Sequence, residues 1–107
     1  MTRGDPIPVA CTLTGGEQVD RAAEFAALFA GGLVDARRTE DELLLRFGRG
    51  EEDAVRDLLA REQECCPFLT MSITADDDSV TARIGAPTDG QPVLDAFAAL
   101  AARSIHR

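Results

Sequence analysis

The chain reads as an α+β protein, a two-layer sandwich with a mainly antiparallel sheet and its helices on one face. The expected order is β-α-β-β-α-β-β-α, ferredoxin-like in its first six elements. Three observations predict this. Short stretches alternate apolar and polar residues with period two, so each strand has one buried and one wet face, as antiparallel sheets do. Longer stretches repeat their apolar residues with a helical period. Helix followed by hairpin then occurs twice in pattern, without a residue-level repeat. At 107 residues the chain is a single domain with one modest core.

The elements follow in order. Residues 1–8 form a short Pro-containing arm expected to be irregular. Val9, Cys11 and Leu13 alternate with Ala10 and Thr12, the pattern of a strand with Cys11 on its apolar face. Thr14-Gly15-Gly16-Glu17 is a capping box, in which Thr14 accepts from first-turn amides and Glu17 reaches back. The helix it opens carries Val19, Ala22, Ala23, Ala26 and Phe29 as its apolar stripe and stops at Gly31-Gly32. Leu33 to Arg38 and Glu42 to Phe47 read as a hairpin, with Leu43, Leu45 and Phe47 inward and Leu44 and Arg46 outward.

The stretch from Glu51 to Phe68 reads as one amphipathic helix with an acidic start that suits its dipole. Pro67 ends it, which puts Cys65 and Cys66 in its last turn. Leu69 to Thr74 and Val80 to Ile84 form a second hairpin around Asp76-Asp77-Asp78, an acidic run read as a solvated turn because it lacks the spacing and glycine of a calcium loop. Thr88 or Asp89 caps a last helix with Val93, Leu94, Phe97, Leu100 and Ala101 on one side, and residues 103–107 are expected to fray, His106 among them.

The central helix breaks one rule. At roughly 100° per residue, Val55, Leu58, Leu59, Glu62, Cys65, Cys66 and Leu69 share a stripe about 120° wide, with Glu62 near its middle. An unpartnered carboxylate on a buried stripe costs several kcal/mol, on the order of the cost of burying any unsatisfied polar group. Such breaks gather at functional sites, which makes Glu62, Cys65 and Cys66 the candidate site. The structural alternative is that Glu62 is neutralised by an arginine such as Arg21 or Arg37 and the sulfurs serve as small hydrophobes. Glu64 falls off the stripe and is expected in solvent.

Composition narrows the partners. A net charge of −8 without a basic stripe argues against nucleic acid. No apolar run is long enough to span a bilayer, and the first residues lack the apolar segment of a secretion signal. The expectation is a cytoplasmic protein whose three cysteines are thiols. The outer sheet face, with Leu44 among threonines and arginines, is either wet or a modest homodimer surface.

Two or three thiolates without histidine suit soft ions such as Hg(II), Cu(I) or As(III), and do not make a structural zinc site, which takes four ligands in paired spacings. Glu62 lies three and four residues before the two cysteines, so on a helix it neighbours both. Cys11 supplies a third sulfur if its strand lies beneath the end of that helix. A helix C-terminus beside a carboxylate opposes a thiolate, so an incoming metal has to displace the protons itself. A bridge between Cys65 and Cys66 is disfavoured because neighbouring Cα atoms are about 3.8 Å apart, shorter than the usual disulfide range.

The phrase Ala10-Cys11-Thr12-Leu13-Thr14, followed by Glu62-Gln63-Glu64-Cys65-Cys66-Pro67-Phe68 and later Ala86-Pro87, resembles small bacterial proteins with an E-x-x-C-C-x-F signature. These are loosely associated with mercury-resistance and other metal-responsive gene neighbourhoods. The resemblance spans most of the chain. It implies a thiol-centred role for Cys11, Glu62, Cys65 and Cys66, with Phe68 as core packing, and supplies no established activity.

Three functions compete. The first is binding of a soft metal ion for sequestration or transfer through Cys11, Cys65 and Cys66, with Glu62 as proton acceptor or weak ligand. The second is a thiol-dependent enzyme, either organomercurial protonolysis with Glu62 as proton donor or thiol-disulfide or peroxide chemistry. The third is a structural or interaction module with buried cysteines.

Overall fold

The structure, a computed structural model, describes residues 15–105 and the side chains of residues 20–104. The N-terminal arm, the strand expected around Cys11, the cap residue Thr14 and His106 lie outside the described residues. Among the described residues, three helices, α1 (Gly15–Gly32), α2 (Glu52–Cys65) and α3 (Gln91–Ile105), accompany four strands, β1 (Leu33–Arg38), β2 (Glu42–Gly48), β3 (Thr70–Ala75) and β4 (Ser79–Gly85). The described order is α-β-β-α-β-β-α.

The sheet is antiparallel throughout, with strand order β1-β2-β4-β3. Each hairpin is closed by its own tight turn, and the hairpins meet through their second strands, with Leu43 opposite Ile84, Leu45 opposite Ala82 and Phe47 opposite Val80. This corrects the ferredoxin-like expectation for the first six elements. That arrangement would seat a strand at Val9 to Leu13 beside β2, a place already held by β4. The chain leaves β2 through α2 to β3 at the sheet edge, and closure of the β3–β4 hairpin then folds β4 back into the place beside β2.

The two hairpins also share their bounds under a constant offset: Leu33 corresponds to Thr70, Arg38 to Ala75, Glu42 to Ser79 and Gly48 to Gly85. Both second strands end in arginine, an apolar residue and glycine, Arg46-Phe47-Gly48 and Arg83-Ile84-Gly85. The helix–hairpin periodicity of the sequence is thus a repeat of αββ units about the β2–β4 seam.

Alternation sets the buried face. Leu43, Leu45, Phe47, Val80, Ala82 and Ile84 are all buried, while Arg37, Arg46, Ser72, Thr74 and Arg83 are exposed. Leu44, expected outward, is half-buried. The helices add Phe25, Phe29, Val55, Leu58, Leu59, Val93, Leu94 and Ala101 to the core. Burying each large side chain of this kind contributes about 1.5–3 kcal/mol against leaving it in water.

On α1 the buried side matches the expected stripe at Phe29, with Ala26 half-buried, and departs from it at the alanines before them. Ala22 and Ala23 are exposed, whereas Phe25 and Phe29 are buried and Leu28 is half-buried. Phe25 packs on Phe29 and Phe97, with ring centroids 5.9 and 4.8 Å away. Aromatic area outweighs several methyl groups, so the phenylalanines decide which way the helix turns. Arg21, four residues before Phe25, is carried to the same side.

The ends also differ from expectation. α2 starts one residue late, after a 3-10 turn at Arg49–Glu51, and ends at Cys65. A second 3-10 turn, Thr88–Gly90, replaces the expected cap of α3 by Thr88 or Asp89. It brings Gly90 against the Phe68 ring, where a Cβ would lie 2.9 Å from Phe68 Cδ1. Residues 103–105 are helical, and Ser104 Oγ donates to the Leu100 carbonyl at 3.1 Å.

The Asp76 turn is a capped, solvated loop. Asp76 Oδ1 accepts from the backbone N–H groups of Asp78 and Ser79, each at 2.8 Å. These two bonds hold the Asp76 carboxyl below its ordinary range.

Candidate metal centre

The stripe on α2 faces inward as a unit. Val55, Leu58, Leu59, Cys65 and Cys66 are buried, as is Leu69 beyond the helix, and Glu62 keeps 2% of its surface. Glu64 is exposed, as its position off the stripe predicts. Glu62 is therefore a carboxylate inside the core.

Pro67 shapes the end of the helix. The residue before a proline is pushed out of the helical region, and Cys66 has φ −125° and ψ 75°. Its N–H still donates to the Glu62 carbonyl at 2.7 Å, and its own carbonyl accepts from Leu69 N–H at 3.0 Å. Cys66 thus leaves the helix by one residue, where the sequence placed it in the last turn. Its Sγ–H donates to Glu62 Oε2 at 3.3 Å, and its Sγ lies 3.6 Å from Cys65 Sγ.

One carboxylate oxygen faces the sulfur and the other faces a cation. Arg21 Nη1 donates to Glu62 Oε1 at 2.8 Å, across from α1. Of the two arginines that could neutralise Glu62, Arg21 does so; Arg37 stands exposed on β1. Arg21 is partly open to solvent, its side chain 16% exposed, so the pair runs from the protein surface inward. Further out, Arg61 Nη1 lies 2.8 Å from Glu24 Oε1 and Arg61 Nη2 lies 3.0 Å from Asp57 Oδ2. The hydrogen bond to Glu24, followed by that to Asp57, pushes the Arg61 guanidinium above its ordinary value.

These contacts show that α1 and α2 run antiparallel: Arg21 meets Glu62, Glu24 meets Arg61, and Gly32 lies beside Glu51. The first turn of α1 therefore sits at the same end of the pair as Cys65.

One oxygen of Glu62 and the sulfurs of Cys65 and Cys66 lie within 4.8 Å of one another, all three residues buried. This group could hold a metal ion. Two sulfurs and a carboxylate oxygen in a dry setting form a soft donor set. The third predicted sulfur, that of Cys11, lies outside the described residues. Arg21 is the residue whose role sequence reasoning left open, since choosing it over Arg37 needed the face of α1. The signal was its spacing, four residues before Phe25 and eight before Phe29.

No protein-family model matches the chain, and neither a curated protein nor a solved structure does. Among the described residues, no helix is long and apolar enough to cross a membrane.

Proposed function

We propose that the protein binds a soft metal ion through Cys65 and Cys66, for sequestration or transfer, with Glu62 receiving the proton that the Cys66 thiol gives up. The observation that carries this reading is the hydrogen bond from Cys66 Sγ to Glu62 Oε2 at 3.3 Å, made inside the core beside a second sulfur. A metal can bind thiols only by displacing their protons. A carboxylate already accepting from the thiol is the nearest destination for one of them, and Arg21 at 2.8 Å links that carboxylate to the surface.

Cys11 supplies the third sulfur in this reading. It stands four residues before Gly15, and four residues span at most about 14 Å. The start of α1 lies at the cysteine end of α2, which is why this reading gives the third position to Cys11. The reading also accords with the resemblance to proteins carrying E-x-x-C-C-x-F.

Native mass spectrometry of the reduced protein with Hg(II), Cu(I) and arsenite tests it. The expected outcome is one ion per chain for at least one of them, lost in Cys65→Ser/Cys66→Ser and weakened in Cys11→Ser. Unchanged binding in the double variant would refute the proposal.

A further inference from the structure

The separation of the two sulfurs bears on which kind of ion they suit. They lie 3.6 Å apart. Bonds of about 2.3 Å from each sulfur to a shared ion would meet there at about 100°. Linear two-coordination, which Hg(II) and Cu(I) favour, needs sulfurs about 4.6 Å apart. Spreading the pair means moving either Cys66, fully buried and hydrogen-bonded to Glu62, or Cys65, 5% exposed, through a close-packed interior. An angle near 100° is that of a pyramidal centre with three ligands and a lone pair.

Charge points the same way. Arg21 and Glu62 already cancel one another, and an unbalanced charge in the interior is costly. Two thiolates around a monovalent ion leave a net negative charge among residues that are at most 5% exposed, or oblige Glu62 to keep a proton and lose its pairing with Arg21, so charge disfavours Cu(I). Two thiolates around Hg(II) are neutral, and against that ion the argument is the sulfur separation alone. A neutral trivalent hydroxide that exchanges two hydroxyls for two thiols leaves none.

We infer that the Glu62–Cys65–Cys66 group is shaped for a pyramidal, trivalent thiophile of the arsenite class, an inference that depends on the soft-ion reading above. In the binding step two As–O bonds break and two As–S bonds form. The Cys66 proton passes by way of Glu62, and the Cys65 proton directly, to the departing hydroxides, which leave as two waters. Glu62 is returned to a carboxylate, arsenic stays trivalent, and its third position keeps a hydroxyl or exchanges it for the Cys11 thiol with loss of a third water. No oxidant or reductant is needed.

Reduced full-length protein is loaded separately with phenylarsine oxide, arsenite and Hg(II), then challenged with excess dithiothreitol and followed by native mass spectrometry. Phenylarsine oxide should give a one-to-one adduct less one water, because its single exchangeable oxygen leaves as the two sulfurs bind. Both arsenicals should be retained at least ~10-fold better, relative to dithiothreitol, than Hg(II). Absorption spectroscopy at the arsenic edge on the unaltered protein should show two or three sulfurs about a pyramidal arsenic, a readout that needs no variant to fold. Retention of Hg(II) with surrender of both arsenicals would overturn this inference and leave the soft-ion reading standing. Failure to hold any of the three would remove both.

Discussion

Arg21 on α1 reaches Glu62 on α2 with Nη1 2.8 Å from Oε1, and this contact compensates a carboxylate that keeps 2% of its surface inside the core. Removing one partner of a buried pair leaves the other charge stranded, which costs about 3–5 kcal/mol. Because Arg21 is partly solvated, Arg21→Ala is expected to destabilise by about 3 kcal/mol, the low end of that range. Glu62→Gln in the same chain should recover much of the loss. A double-mutant cycle by urea unfolding checks it, and additive effects of the two changes would show that the contact contributes nothing.

Thiol accessibility follows from burial. Cys65 is 5% exposed and Cys66 fully buried, so a disulfide reagent reaches them only when the end of α2 opens locally. Their native reaction should be at least ~10-fold slower than in denaturant, faster in Arg21→Ala, and suppressed by preloaded Hg(II). Thiol titration over time provides the measurement. Reaction only upon global unfolding, unaffected by metal, would favour cysteines that merely pack.

Gly90 faces the Phe68 ring. A methyl group there would stand 2.9 Å from Phe68 Cδ1 and 3.1 Å from Ala86 Cβ. Gly90→Ala is expected to cost about 1–3 kcal/mol as an overpacked site. Since Phe68 follows the cysteine pair by two residues, the variant should also weaken soft-ion binding. Thermal unfolding with and without metal checks both parts.

The Asp76 turn confers an acid-sensitive term. Its two backbone hydrogen bonds depress the folded carboxyl below the ordinary value of 3.8, so the contribution is complete above that value and is lost as pH falls through the folded one. Stability should therefore drop more steeply in the wild type than in Asp76→Asn at pH below about 4. The amide oxygen of asparagine can accept the same two bonds without titrating. Acid-unfolding curves of the two proteins make the comparison, and parallel acid limbs would contradict the assignment.

Some of this architecture was legible from residues alone. The α2 stripe from Val55 to Cys65 faces inward as its period predicts, Glu62 included, because a helical period is set by the backbone and needs no partner to be visible. Cys66 and Leu69 are buried too, though they lie beyond the helix. Both hairpins were equally plain, since alternation and turn residues are local signals. On α1 the apolar period runs through the alanines and passes over Phe25, because a residue count weighs a methyl group and an aromatic ring alike while burial follows area.

By itself the sequence determined the helices and hairpins between residues 15 and 105, the inward faces of the strands and of α2, and the presence of a carboxylate among sulfurs on that helix. The tertiary structure alone decided that β4 and not an N-terminal strand lies beside β2, that Arg21 and not Arg37 compensates Glu62, and that Cys66 turns out of the helix to bond that carboxylate. Each of the first two depends on contacts between residues distant in the chain, whose energies no local pattern encodes. The third depends on how Pro67 and the packed interior together set a single pair of dihedral angles.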